Sequence, residues 1–294
     1  MITFESLNLF SAPPFRTMTF PKFQAMLQSV GLGRQMIAIG ASENNQPVGL
    51  ILAEVQAQSA KILSLFVKAE YRNQGIATRL IDRIEQALIS LGCQETYLVY
   101  AAGKQTAKAL ERVLEKCGWA DPEPRMLICR CTPQAMQQAS WVQRAVLPRS
   151  FEIFPWTELT LADRAALLGA DWYPSSLSPF EYEASMEPLN SLGLRYQGEV
   201  VGWMITQRLC LDTLCYSSSY IRPDLQQRGR IIPLYAEAIN RHCTRPDIPN
   251  ASWVVPYIHP GMVQFVKHRM ADYITSMDEY RRSTKTFPAL VASL

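Results

Sequence analysis

LFVKAEYRNQGIATRLIDRIEQAL, residues 65–88, passes from an apolar strand through a polar turn into an amphipathic helix. From Ile76 on, Leu80, Ile81, Ile84, Ala87, Leu88 and Leu91 recur at helical spacing, and Gly92 follows as a stop signal. The turn, RNQGIA, is sparing of side chains in its middle. A helix start leaves backbone N–H groups without partners and carries roughly half a positive charge from the aligned peptide dipoles. Gly75 brings no Cβ to that donor cluster, Ala77 keeps a nearby position small, and Arg72 adds a charge at the mouth. The residues alone leave two readings open: a phosphate-binding turn, or a tight turn shaped by glycine with no ligand.

At 294 residues the chain is long for one core, and a prior of ~150 residues per domain points to two. Hydrophobic residues at 48% with 19% charged fit a globular chain. No apolar run approaches the ~18–20 residues of a membrane span. The opening MITFESLNLF shows neither a basic stretch nor a small-residue cleavage site, so the expected location is the cytoplasm, without a membrane partner. A net charge of +3 is too small to argue for nucleic acid. The seven cysteines form no C-x-x-C pair, and Cys129 and Cys131 share one face of a strand. With only His242, His259 and His268 available, no zinc spacing assembles; reduced, mostly buried thiols and no metal are expected. Neither G-x-G-x-x-G nor G-x-x-x-x-G-K-[ST] occurs, which argues against dinucleotide and P-loop sites.

The chain repeats itself. QPVGLILAE at 46–54 resembles EVVGWMITQ at 199–207, with Gly49 and Gly202 separated by 153 residues. RNQGIA at 72–77 finds a partner in QQRGRI at 226–231, with Gly75 and Gly229 separated by 154. Trp119 precedes Tyr273 by the same 154. Three features at nearly one offset imply two copies of one fold. Each half reads as a hairpin, a strand, the turn, a helix, a strand, a second helix and a last strand. The hairpins turn at Glu43-Asn44-Asn45 and at Gln197-Gly198. The expected division is an N-terminal domain over 1–132, a linker over 133–149 and a C-terminal domain over 150–294.

Arg72-Asn73-Gln74-Gly75-Ile76-Ala77 matches (Q/R)-x-x-G-x-(G/A), and with the flanking strand and helix it resembles the core block of the GNAT superfamily of N-acetyltransferases. LEKCGW, 114–119, is similar to the family's closing block, a Tyr-x-Lys-x-Gly-Phe-like helix end. The resemblance covers about residues 35–131. It implies an α/β fold of two GNAT-like domains, each a mixed, mostly antiparallel central sheet flanked by helices. It also implies coenzyme A binding, with acetyl-CoA as co-substrate. The backbone of Gln74, Gly75, Ile76, Ala77 and Thr78, with Arg72 and Asn73, would hold the pyrophosphate. Leu65, Phe66 and Val67 would pair with the pantetheine arm and lie near the oxyanion donors.

Acetyl transfer to an amine requires a deprotonated nitrogen (lysine pKa about 10.4), a stabilised thioester oxygen and a departing thiolate. The family's acid tyrosine is replaced by Leu114, and the strand carboxylate that some members use as base by Ile62. Tyr100 is the nearest hydroxyl to nominate as acid, and Glu54 is a candidate base; a packed aromatic and a solvated carboxylate are the plain alternatives. A thiol of pKa about 8.5 leaves tolerably without an acid.

The second copy departs further. It keeps Gln226 and Gly229 but has Ile231 where Gly or Ala is expected, with Arg222, Arg228 and Arg230 nearby as a candidate anion site or a solvated basic edge. Either His268 or Phe265 falls at the acid position, and His259 is another candidate base. The segment 169–188, at the family's acceptor-binding place, offers Asp171, Trp172, Tyr173, Glu181, Tyr182, Glu183 and Glu187; two readings stay open, a site for a cationic amine or polar surface helices.

Three activities fit. One is an N-acetyltransferase acting on a primary amine of a small molecule or peptide, with the cofactor in the N-terminal copy. In the second, resembling tandem mycothiol synthases, the N-terminal copy only holds acetyl-CoA and the C-terminal copy catalyses. The third is a silent acyl-CoA-binding scaffold. A monomer or homodimer is expected.

Overall fold

The structure, a computed structural model, describes residues 1–33, 35–226 and 229–288. The first copy runs β1 (Ile2–Ser6), α1 (Gln24–Gln28), β2 (Met36–Glu43), β3 (Gln46–Gln56), β4 (Ser59–Val67), α2 (Ile76–Ser90), β5 (Glu95–Ala101), α3 (Ala107–Lys116) and β6 (Glu123–Cys131). Two short helices follow, α4 (Pro133–Gln137) and α5 (Ser140–Gln143). The second copy repeats the order as β7 (Phe151–Pro155), α6 (Leu161–Leu168), β8 (Leu192–Tyr196), β9 (Glu199–Cys210), β10 (Thr213–Ile221), α7 (Ile232–Cys243), β11 (Asn250–Pro256), α8 (Pro260–Phe265) and β12 (Ser276–Thr286). The expected hairpins, turns and helices are present. Strands β1 and β7, short and without strong alternation, are additions to the sequence reading.

The compact units do not follow chain order. One comprises Met1–Arg125 together with the chain from Glu279, and the other Met126–Asp278. In the first unit the strand order is β1-β2-β3-β4-β5-β12; β4 and β5 are parallel and the other pairs antiparallel. In the second it is β7-β8-β9-β10-β11-β6, with β10 and β11 parallel. Each sheet is therefore closed by the last strand of the other copy. The expected boundaries at 132 and 150 assumed that each copy keeps its own sixth strand. An edge strand such as β5 accepts any antiparallel partner of suitable pattern, and local sequence does not name it.

The expected linker is part of a core. Thr132 caps α4 by accepting the Ala135 N–H, and Met136, Ala139 and Val142 are buried with α7 and β11 of the second unit. In the first unit, α2 and α3 cover one sheet face through Ile76, Leu80, Ile81, Ile84, Leu88 and Leu114. Leu7, Phe15, Met18 and Leu27 cover the other. Gly49 allows the close fit of α2, since a Cβ there would stand 3.2 Å from Leu80 Cδ1 and the Phe66 carbonyl. Its repeat partner Gly202 is more constrained, with a Cβ meeting the Tyr220 carbonyl at 2.7 Å. The repeat signal at 49 and 202 thus marks a steric need.

All seven cysteines are free, and Cys93, Cys117, Cys129 and Cys131 are buried, whereas Cys210 is exposed. Burial pushes the Cys117 thiol up to about 11 and those of Cys129 and Cys131 to about 12, which keeps them protonated and poor ligands. Among the described residues no helix is long and apolar enough to cross a membrane.

Candidate functional site

Strands β4 and β5 pair in parallel only over residues 59–62 and 95–98. At that point the β3–β4 register slips, Ala53 opposing Ile62 while Leu52 opposes Ser64, so Leu63 is a bulge. A bulge bends its strand and increases the local twist. Beyond it β4 keeps its β3 partners but leaves β5, and a gap opens between the parallel strands. The second copy repeats the device: Thr206 opposes Tyr216 and Ile205 opposes Ser218, bulging Ser217, and the β10–β11 pairing ends at Tyr216–Trp253. The bulges at 63 and 217 are 154 residues apart.

The turn RNQGIA lies at the end of this opened strand. Gly75 is the N-cap of α2 with φ +76°, and Asn73 is also left-handed at φ +62°. A Cβ on Gly75 would meet nothing within 4 Å. Glycine is therefore demanded by the backbone angle, and the space beside it is open. The first bond into the helix runs from the Arg79 N–H to the Gly75 carbonyl, which leaves the N–H groups of Ile76, Ala77 and Thr78 without acceptors inside the helix. Arg72 Nε donates to the Val67 carbonyl at 3.1 Å and ties the turn to the end of β4. In the second copy Gln226 Nε2 donates to the Ile221 carbonyl at 3.0 Å, the same bond between repeat-equivalent residues. This explains why Arg and Gln alternate at the first motif position: each reaches the strand end with a side-chain N–H. Gln74 likewise donates to the Glu70 carbonyl at 3.3 Å. Leu65, Phe66 and Val67 follow the bulge on the strand edge that β5 has left.

The nominated catalytic groups are less free. Tyr100 Oη donates to Glu111 Oε1 at 2.7 Å, with Arg281 beside that carboxylate. Burial and the Glu111 hydrogen bond raise the Tyr100 pKa well above that of an ordinary phenol. Glu54 accepts from Gln56 Nε2 at 2.9 Å. Leu114 and Ile62 are buried in the α2-side core. Sequence periodicity missed Glu85, which sits on the apolar face of α2. It accepts from Trp119 Nε1 at 2.8 Å and pairs with Lys285 of β12 at 2.5 Å, while Lys285 also donates to the Cys117 carbonyl. The Trp at the end of the closing block is thereby anchored to the turn-bearing helix.

In the second unit Gly229 repeats the left-handed turn at φ +62°, with Ile232 Cγ1 3.3 Å from a Cβ there. Arg230 lies over the Phe151 ring, and Arg228 is outside the described residues. Arg222 is spent on Asp224 at 2.8 Å and Glu199 at 3.1 Å. The gap between β10 and β11 contains a cavity of about 390 Å³. Leu177 and Tyr220 bound it on the side of the aromatic cluster, and Tyr235 and Ile239 on the α7 side, so it passes through the sheet. Tyr216 at its apex hydrogen-bonds His242 Nδ1 at 3.1 Å, and His242 Nε2 donates to the Ile248 carbonyl at 2.8 Å. That fixes the tautomer: Nε2 carries the proton and Nδ1 accepts from the phenol. Burial lowers the His242 pKa, so the ring stays neutral. Ser219 pairs with Tyr235, and His259 lines the rim.

The candidate acceptor segment is largely self-satisfied. Trp172 and Tyr173 pack on the buried Trp203, and Tyr182 packs on the same cluster. Glu183 is held by Arg164 and Trp156, and Glu187 by Arg245. Asp171 and Glu181 lie exposed. The two alignments of the closing helix, through His268 or Phe265, have a structural origin in a π-helical turn over Val266–Met270. Phe265 packs on Trp141, whereas His268 is exposed with Nδ1 on the Gln264 carbonyl.

A mixed sheet opened at a parallel pair, with a glycine turn and a helix start at the mouth, presents backbone donors of the kind that suit an extended phosphorylated ligand. Residues 5–119 match the model of the acetyltransferase (GNAT) family. Over 98% of its length the chain is similar to a tandem GNAT protein from the clavulanic acid biosynthesis pathway, at 10% identity, TM-score 0.63 and 99% of that chain. A GCN5-related N-acetyltransferase from Sphaerobacter thermophilus aligns over 98% of this chain and 97% of its own, at 14% identity and TM-score 0.67. The glucosamine N-acetyltransferase region of a fungal multi-domain GH3 β-N-acetylglucosaminidase aligns over 97% of this chain and 38% of its own, at 13% identity and TM-score 0.68. At such identities these likenesses speak for the fold. No curated protein matches the sequence. Residues 5–119 are a GNAT acetyltransferase domain, and the chain is a tandem GNAT-fold protein. The family's reaction is acyl-CoA-dependent acyl transfer.

Proposed function

We propose that the chain is an acetyl-CoA-dependent N-acetyltransferase that acts on a primary amine of a small molecule or peptide. The carrying observation is the open, glycine-capped turn at 72–78 over the gap that the Leu63 bulge creates, within the segment that matches the family model. The free N–H groups of 76–78 receive the pyrophosphate, and the unpaired edge of β4 at 65–67 receives the pantetheine amides. Bound there, the coenzyme supplies an acyl thioester. The neutral amine nitrogen attacks its carbonyl carbon; the C–N bond forms as the C–S bond breaks, the amine proton passes to water or a base, and the sulfur leaves as thiolate. The backbone N–H groups past the bulge, no longer committed to β5, are the candidate oxyanion donors.

Calorimetric titration with acetyl-CoA tests the site. Gly75→Trp adds bulk toward open space, so the fold has room for it, at a left-handed strain of about 1–2 kcal/mol. The expected result is binding at least about tenfold weaker in the variant, from lost approach to the helix start. Equal binding in both proteins sinks the assignment. Free-thiol release across polyamines, amino acids, aminoglycosides and peptides then reports turnover, and no release above background supports the scaffold reading. The cavity through the β10–β11 gap favours a second reading, in which the C-terminal copy reacts. Its signature is a Gly229→Trp variant that loses turnover while acetyl-CoA binding persists.

A further inference from the structure

We infer that the cavity of the second unit is an acyl-chain site, built to take an acyl-CoA whose acyl group is a medium-length aliphatic chain rather than acetyl; this rests on the acyl-CoA reading above. Three observations carry it. The first is size. A cavity of about 390 Å³ lies within the range of ~300–1,000 Å³ typical of small-molecule sites, and an acetyl group fills little of it.

The second is the distribution of chemistry along it. Hydroxyls line the opened strand, from Tyr216, Ser217 and Ser219 on β10 and Tyr235 on α7, where amides of an extended arm need partners. Past the gap the walls become apolar and pliable, with Met136, Met262 and Met270 beside Trp141 and Trp253. Methionine fills irregular space and adapts to flexible apolar ligands.

The third observation is charge. No acidic side chain lines the cavity among the described residues, so a cationic amine entering it has no counter-charge. A neutral thioester with an alkyl chain needs none. The mouth keeps two features of the first copy, the Gln226 tie to Ile221 and the left-handed Gly229, while α7 starts two residues later than its counterpart, with Ile231 as its N-cap. In the first unit Leu63 and Ile62 are buried in the cores on the two sheet faces.

Octanoyl-CoA titrated into the full chain, wild type and variants, gives the test. Gly75→Trp is expected to leave octanoyl-CoA binding within about twofold, whereas Met262→Trp, filling a half-buried wall position, weakens it about tenfold or more and leaves acetyl-CoA binding unchanged. An octanoyl-CoA analogue with a terminal diazirine supplies a readout free of mutations. Cross-linked peptides containing Met136, Trp141 or Met262 support the site. Cross-links confined to residues of the first unit, octanoyl-CoA binding abolished by Gly75→Trp, or no octanoyl-CoA binding to the wild type each overturn the inference. Wild type that binds octanoyl-CoA but not acetyl-CoA instead removes the N-acetyltransferase proposal and leaves the acyl-chain site standing.

Discussion

Tyr100 shows how a single hydrogen bond redirects a nomination. Its hydroxyl donates to Glu111, and burial with that carboxylate raises its pKa, so its proton is neither aimed at a leaving sulfur nor readily released. A thiolate of ordinary pKa about 8.5 departs without help. Tyr100→Phe is therefore expected to lower turnover by less than about tenfold. A larger fall with unchanged acetyl-CoA affinity, in a variant of normal stability, restores the acid role. Asp163 matters more to stability. It accepts both terminal nitrogens of Arg195, at 2.9 and 2.7 Å, and closes a capping box with Thr160. Those bonds, the Arg195 pair first, hold its pKa well below the usual carboxylate range. A depressed carboxylate contributes stability above the unfolded value of about 3.9, and loses it as pH falls below that value. Asp163→Asn is expected to destabilise by about 3 kcal/mol at neutral pH, because it strands a largely buried Arg195. Urea unfolding should also show a shallower decline of stability below about pH 4 in the variant; an identical decline contradicts the assignment.

At the scale of elements, β12 decides whether the first unit is complete. It pairs with β5 from Tyr280 to Thr286, gives Ser283 to the Ala120 carbonyl, and sends Lys285 to Glu85 and the Cys117 carbonyl. Lys285→Met leaves a buried carboxylate unpaired on the helix that carries the glycine turn. Its expected cost is about 3–5 kcal/mol in denaturant unfolding, with much of it recovered in the Glu85→Gln, Lys285→Met double variant. No recovery means that the Lys285 bond to the Cys117 carbonyl, not the ion pair, carries the effect. The helices, hairpins and turns were legible in the sequence because each is written locally. The Asn44-Asn45 turn has φ of +49° and +62°, as a tight hairpin requires, and the α2 stripe follows the helical period. Glu85 broke that stripe, since its partners Trp119 and Lys285 lie 34 and 200 residues away.

For the whole molecule, local patterns along the chain establish two copies, their order of elements, and a glycine turn at the first strand-to-helix junction with a weaker echo at the second. Periodicity, turn angles and a repeated offset are properties of neighbouring residues, so one chain suffices to read them. Long-range packing establishes that the sixth strands are exchanged, that 133–149 is core, and that the bulges at 63 and 217 open the gaps. It alone set a cavity in the copy whose turn is the poorer match. A strand edge does not specify which chain segment covers it, and a void is the space left by side chains from many distant segments. RNQGIA marks an open, glycine-capped helix start that neighbouring residues suffice to define; the packing of methionines and tryptophans around β11 leaves a cavity that no local motif announces.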